Sequence, residues 1–272
     1  MPVPAAIRLT SRQHAVVRQC RTAASGDDPD LVLLDGAHLL TDALDADIRI
    51  ARVLTDGRAA SLVARARKSG ATVYEATTSV LEAASPVRSP TGVVALAHWR
   101  TTGVAPALKA GGPAACCLGL VGVQDPGNVG SAIRAADALG ATGVLTHEGT
   151  ADPRGWKTLR GAMGSVFHLP IGRGPAAEAL AEASRANLSV VAAVTHSGAP
   201  PGTLDLRRPC LILVGSEGAG LPPAVVDRAD ARVTIPMRRG VESLNVAVTA
   251  ALLLFEARRQ REAAAETVRT AG

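Results

Sequence analysis

Apolar residues in this chain come in two kinds of run. Some are short and nearly unbroken: "LVLLDG" from Leu31, "IARVLTD" from Ile50, then "ATVYEAT" and "GVVALAH", and further on "CCLGLVGV", "TGVLTHE", "LSVVAAVT" and "PCLILVG". Runs of that length, bounded by glycine, proline or aspartate, predict strands. Between them, "AHLLTDALDA", "GRAASLVARARKSG" (closed by Gly70) and "SAIRAADALGA" (with Gly140 near its end) space their apolar residues as helices do. "VTIP" predicts a last strand ended by Pro236, and Val246 to Phe255 predicts an apolar helix buried on most of its sides. Strands without polar alternation, joined through helices, predict an α/β fold with a parallel sheet covered on both faces. Patterning fails at "HWRTTGVAPALKAGGPAA", where Gly, Pro and Ala replace periodicity. The break divides the chain into a small α/β domain at 1–98, a linker at 99–115 and a larger domain at 116–272.

Composition narrows the picture only a little. Among 272 residues 47% are hydrophobic but 2% aromatic, so the cores must be built from Ala, Val and Leu. The net charge of +5 and pI near 9.5 fit a polyanionic partner, since Lys and Arg displace counterions from phosphates, and equally fit charge that only keeps the protein soluble. In the first part of the chain Arg12, Arg18, Arg21, Arg65, Arg67, Lys68 and Arg88 supply a positive surface. Cys20, Cys116, Cys117 and Cys210 form no C-x-x-C pair, and the histidines show no ligand spacing, so neither a disulfide framework nor a metal site is expected. The N-terminus lacks an apolar signal core, and the longest apolar stretch falls short of the roughly 20 residues that span a bilayer. The expected location is the cytoplasm, with no membrane partner.

Three loops carry the candidate chemistry, each beyond the carboxyl end of a predicted strand, where parallel sheets hold ligands. In "DPGNVGSAIRAADALGA", Asn128 and Gly130 precede a helix, and Arg134 lies one turn into it. The glycine spacing is not G-x-G-x-x-G, which argues against a nicotinamide dinucleotide. In "LILVGSEGAGLPP", Gly215, Gly218 and Gly220 allow close backbone approach around Glu217. In "MRRGVESLNVAVTAALLLFE", Ser243 and Asn245 stand where either can cap the helix; capping alone accounts for one of them.

In that order and spacing the three loops resemble the signature motifs of the SpoU (TrmH-like) RNA ribose 2′-O-methyltransferases of the SPOUT superfamily. The likeness runs from Leu118 to Arg261 and is most specific at "ESLNV" followed by an apolar helix. More loosely, "SRQHAVVRQC", "LLDGAHLL" and "SPVRSPTGVVALA" resemble the RNA-binding domain often appended to the family, itself similar to small ribosomal proteins. The resemblance implies a SPOUT-type parallel sheet with a C-terminal deep trefoil knot, a homodimer, S-adenosylmethionine as cofactor and no metal. It implies 2′-O-ribose methylation of structured RNA, with 23S rRNA preferred over tRNA. A catalytically inactive RNA-binding or ribosome-assembly protein of the same fold is the other reading.

By motif position the resemblance assigns the cofactor to Gly215, Ile235 and Leu244, with Leu213, Met237 and Val246 as further wall residues. It assigns catalysis to Arg134, with Asn128, Glu217, Ser243 and Asn245 completing the polar shell. Two positions depart from the family pattern: Ser216 stands where Asn is usual before the glutamate, and Ala162 where Ser is common.

Overall fold

The computed structural model describes residues 6–238 and 240–271. They form two compact units: residues up to Arg100 together with Arg154–His168, and Thr101–Pro153 together with Leu169 onward.

The first unit begins with β1 (Ile7–Leu9), α1 (Ala15–Ser25), β2 (Leu31–Asp35) and α2 (Ala37–Asp45). It continues with β3 (Ile50–Thr55), α3 (Ala60–Lys68), β4 (Thr72–Ala76), α4 (Thr78–Ala84) and β5 (Val93–His98). Its mixed sheet runs β1-β4-β3-β5-β2, with β5 antiparallel to both neighbours. Strands β2 and β5 are buried along nearly their whole length, in keeping with their unbroken apolar runs. Neither β1 nor α1 follows from the patterning above. Only Leu9 of β1 is buried, and α1 is capped by an unusual residue, His14, whose Nδ1 accepts from the Val16 amide at 3.2 Å.

The second unit opens with α5 (Val104–Lys109), β6 (Cys116–Val121), α6 (Pro126–Ala138) and β7 (Gly143–Thr146). The chain then enters the first unit, where α7 (Trp156–Ala162) forms and Trp156 packs on that unit's core. It returns for β8 (Ile171–Arg173), α8 (Ala176–Arg185), β9 (Ser189–Ala193), β10 (Cys210–Gly215), α9 (Pro223–Val226), β11 (Ala231–Val233) and α10 (Val246–Ala271). All six strands are parallel, in the order β11-β9-β10-β6-β7-β8. Helices α5, α8 and α9 cover one face through Val104, Leu108, Leu180 and Val225. On the unit's other side α10 packs along α6 and against β10.

Three expectations are corrected. The stretch 99–115 is not a plain linker: Val104, Ala107 and Leu108 of α5 are buried in the second unit. The last strand stops at Val233, so most of "VTIP" lies beyond it; Thr234 instead donates its amide to Ala199 O at 3.0 Å. Helix α10 buries Val246, Ala250, Leu253, Leu254 and Ala257 but leaves Val248, Leu252 and Phe255 at 47, 43 and 57% exposure.

All four cysteines are free and buried, and burial pushes the Cys20 thiol up to about 12 and that of Cys117 to about 11. They are core residues rather than nucleophiles. Buried His147, just past β7, holds Gly174 O through Nδ1 at 2.8 Å, while its Nε2 has no hydrogen-bond partner among the described residues. Burial lowers its pKa from the ordinary 6.5, against the opposing pull of the Gly174 carbonyl, Glu148 and Glu178. The unfolded chain therefore takes up a proton that the fold resists, so this contribution is absent well above pH 6.5 and destabilises progressively as pH falls below it. Urea midpoints should drop between about pH 6.5 and 5. In His147→Asn, which keeps a donor for Gly174 without titrating, that part of the drop should vanish; an unchanged pH profile would acquit His147.

Candidate active site

Strands β10 and β6 are adjacent and in register, Cys210 opposite Cys116 through Gly215 opposite Val121. Their following loops therefore emerge side by side at the carboxyl edge of the sheet. After β6, Asp125 caps α6 by accepting from the Asn128 amide at 2.8 Å, with Pro126 in the first turn. After β10, the Ser216 carbonyl accepts from the Gly220 amide at 3.0 Å and its hydroxyl from the Ala219 amide at 3.2 Å. Gly220, at φ 67°, takes the left-handed conformation that this tight turn requires. Ser216 thus closes the loop that carries Glu217.

The third segment arrives at the same place. Asn245 caps α10: its Oδ1 accepts from the Ala247 amide and its Nδ2 donates to Asn128 Oδ1, both at 2.9 Å. Asn128 in turn donates through Nδ2 to Glu217 Oε1. Asn245, Asn128 and Glu217, one from each loop, are thereby joined in a single chain of side-chain hydrogen bonds. This answers why two polar residues precede an apolar helix: one amide both caps the helix and ties it to the neighbouring loops.

Beside this cluster lies a cleft of about 250 Å³. Gly215, Ile235, Met237, Leu244 and Val246 line it, with Glu217 and Ser243 among its polar residues. Leu213 does not. The pleat turns it into the buried core with Leu211 and Val190, and Val214 faces the cleft instead. Ala193, Val194 and Thr195, at and just after the end of β9, complete a wall that the motif reading missed. The signal was available, because β9 is a predicted strand and its end must lie at the same sheet edge.

Arg134 is exposed on α6, and its side chain makes no hydrogen bond or ion pair among the described residues; it does not line the cleft. Its helix runs parallel to α10, pinned near the start by Asn128 and Asn245 and near the end by Arg258, which donates to Ala138 O at 3.2 Å. Among the described residues lining the cleft none is a lysine or arginine. Apolar walls, turns with accessible backbone groups and one carboxylate suit a flat heteroaromatic ring joined to a cationic centre. S-adenosylmethionine, whose sulfonium a lining guanidinium would repel, fits that donor set. The described residues contain no group of three metal-ligating side chains, and no helix among them is long and apolar enough to cross a membrane.

Fold and cleft together define an α/β protein with a candidate ligand cleft at the carboxyl edge of a parallel sheet, where the ends of β9, β10 and β11 meet the start of α10. Residues 115–255 match the SpoU rRNA methylase family. The chain is 31% identical to the 23S rRNA (guanosine(2553)-2′-O)-methyltransferase RlmP of Bacillus subtilis, covering 83% of this chain and 88% of that protein. It also resembles the AdoMet-bound rRNA methyltransferase of Sinorhizobium meliloti, at 30% identity and a TM-score of 0.84 over 93% of this chain and 97% of that one. The SpoU methyltransferase AviRb of Streptomyces viridochromogenes, in complex with AdoMet, aligns at 28% identity and a TM-score of 0.81, covering 92% of this chain and 99% of that one. This chain belongs to the SpoU rRNA methylase family.

Proposed function

We propose that this chain is a cytoplasmic enzyme that uses S-adenosylmethionine to methylate a ribose 2′-oxygen in 23S rRNA. The observation that carries the reading is the hydrogen-bonded chain from Asn245 through Asn128 to Glu217 at the mouth of a cleft whose lining, among the described residues, holds no lysine or arginine. When bound, the cofactor supplies a methyl group already activated on a sulfonium. The protein has then to align a ribose hydroxyl with it and to ease loss of the hydroxyl proton.

In this reading Gly215, Ile235, Met237, Leu244 and Val246 hold the cofactor, with Leu213 supporting the wall from the core. Asn128 and Asn245, fixed by each other and by Glu217, present a rigid polar rim, and Ser243 adds a hydroxyl. Arg134 binds the ribose and its phosphate and stabilises developing charge on the oxygen. A guanidinium stays protonated and cannot serve as the base, so Arg134 orients the hydroxyl and stabilises its oxygen while the proton leaves to water as the C–O bond forms. The trefoil knot belongs to the same reading, supported by a cleft whose walls come from three distant stretches, 193–195, 214–221 and 233–253. So does a homodimer: Val248, Leu252 and Phe255 form an exposed apolar stripe on α10, beside the helix that carries Arg134. A second copy covering that stripe would complete the site around Arg134. The first unit serves as the RNA-binding part.

The test is transfer of tritiated methyl to purified 23S rRNA and to tRNA, with ribose-methylation mapping of rRNA from cells with and without the chain. One 23S position methylated only when the chain is present is the expected result. Transfer confined to tRNA, or to no RNA at all, would overturn the assignment.

A further inference from the structure

The first unit holds a second cavity, of about 420 Å³, between α3 and the sheet edge formed by β1 and β4. Arg8 lies opposite Glu75 across β1 and β4, and Thr55 lies opposite the same Glu75 across β3 and β4. One rung therefore points a cation, a carboxylate and a hydroxyl to one face, and strand spacing puts Arg8 and Thr55 about 10 Å apart. Arg67 enters the cavity from α3, and Val63 and Val73 form an apolar floor. Ala60 and Ala64 keep the α3 side low, leaving width for a flat ring.

The charges are available. The side chains of Arg8, Arg67 and Glu75 make no hydrogen bond or ion pair among the described residues, although Arg8 and Glu75 share a rung. Asp56, at the cavity's end, is already held by Arg58 Nε at 2.8 Å. Thr55 Oγ1 accepts from the Gly57 amide at 3.0 Å, which leaves its proton to donate. The cavity thus offers two guanidinium groups to an anion and one carboxylate to a pair of N–H donors, over an apolar floor. A single guanosine nucleotide has those parts in one body: phosphate oxygens, a flat ring, and adjacent N1–H and N2–H₂ donors that match two carboxylate oxygens.

We propose that this groove docks one unpaired guanosine of the substrate RNA, with its base edge on Glu75 and its flanking phosphates on Arg8 and Arg67. The proposal rests on the rRNA methyltransferase reading for the identity of the strand, and on this cavity alone for the site. It makes the first unit a reader of one base as well as a positive surface.

The test uses the full chain with a 23S rRNA transcript. In Arg8→Ala/Arg67→Ala the slope of log binding constant against log salt should become shallower by about 1.4, since each phosphate contact on a single strand contributes about 0.7. KM for RNA should rise at least tenfold, the loss falling on KM rather than kcat, with S-adenosylmethionine affinity as in the parent. Arg207→Ala/Arg232→Ala removes two charges from exposed ion pairs of the second unit and serves as the control. In Glu75→Gln, preference for an oligouridine carrying one guanosine over plain oligouridine should collapse to within twofold. A slope and KM in the first double variant equal to those of the control would overturn the proposal, as would an oligonucleotide preference untouched by Glu75→Gln. Absence of methyl transfer by the parent would instead strike the enzymatic reading, because the salt slope and base preference are read by binding alone.

Discussion

Arg134→Ala should abolish methyl transfer, lowering kcat by at least three orders of magnitude, about 4 kcal/mol of transition-state stabilisation. The affinity for S-adenosylmethionine should stay within twofold of the parent. Both expectations come from where Arg134 sits. It is exposed on α6, outside the cleft wall, and its side chain makes no hydrogen bond or ion pair among the described residues. The residues that pack α6 inward are Val129, Ala132, Ile133 and Ala136, so truncating Arg134 opens no cavity and should leave the melting temperature unchanged. Under the proposed function, ribose with its phosphate is the partner for this exposed guanidinium. Arg134→Lys should recover only a small part of the rate, because an ammonium keeps the charge but loses the planar fork. Single-turnover transfer of tritiated methyl to 23S rRNA checks the series, and a parental rate in the alanine variant would remove Arg134 from the chemistry.

The site was more legible in the sequence than the fold around it. "CCLGLVGV" and "PCLILVG" read as strands covered on both faces because nothing polar interrupts them, and their register brings the two polar loops together. What patterning could not supply was anything set by a partner elsewhere. Helix α5 is hidden in "VAPALK", where an early proline and two alanines give no contrast, and only the packing of Val104 and Leu108 reveals it. The placement of α7 in the first unit has no local signal at all: it depends on Trp156 meeting a core built from residues between Leu9 and Leu96, and on Arg154 donating to Leu31 O. Leu213 and Val214 show the same limit at a finer scale. Both are apolar neighbours on β10, and only the pleat decides that Val214 faces the cleft and Leu213 the core.

Gly215→Ala should cost about 100-fold in S-adenosylmethionine affinity, about 2.8 kcal/mol, and transfer activity should fall with it at limiting cofactor. A methyl group there would stand 2.1 Å from Gly220 C, 2.3 Å from Gly220 O and 2.3 Å from the Leu221 amide nitrogen. All three are backbone atoms, so no side-chain rotation relieves the overlap, and the turn from Ser216 to Gly220 must move outward. That turn carries Glu217 and forms one wall of the cleft, so its displacement both widens the pocket and breaks the hydrogen bond from Asn128. Strand β10 itself is flanked by β9 and β6 and should survive, which separates loss of the site from loss of the fold. Gly202→Ala is the matched control, since its added carbon would come no closer than 3.9 Å to Glu256 Oε1. Calorimetric titration reads the difference. A Gly215→Ala protein that binds the cofactor within threefold of the parent would show that the turn after β10 is not the wall that holds it, and the cleft would have to surrender its assignment to another part of the sheet edge.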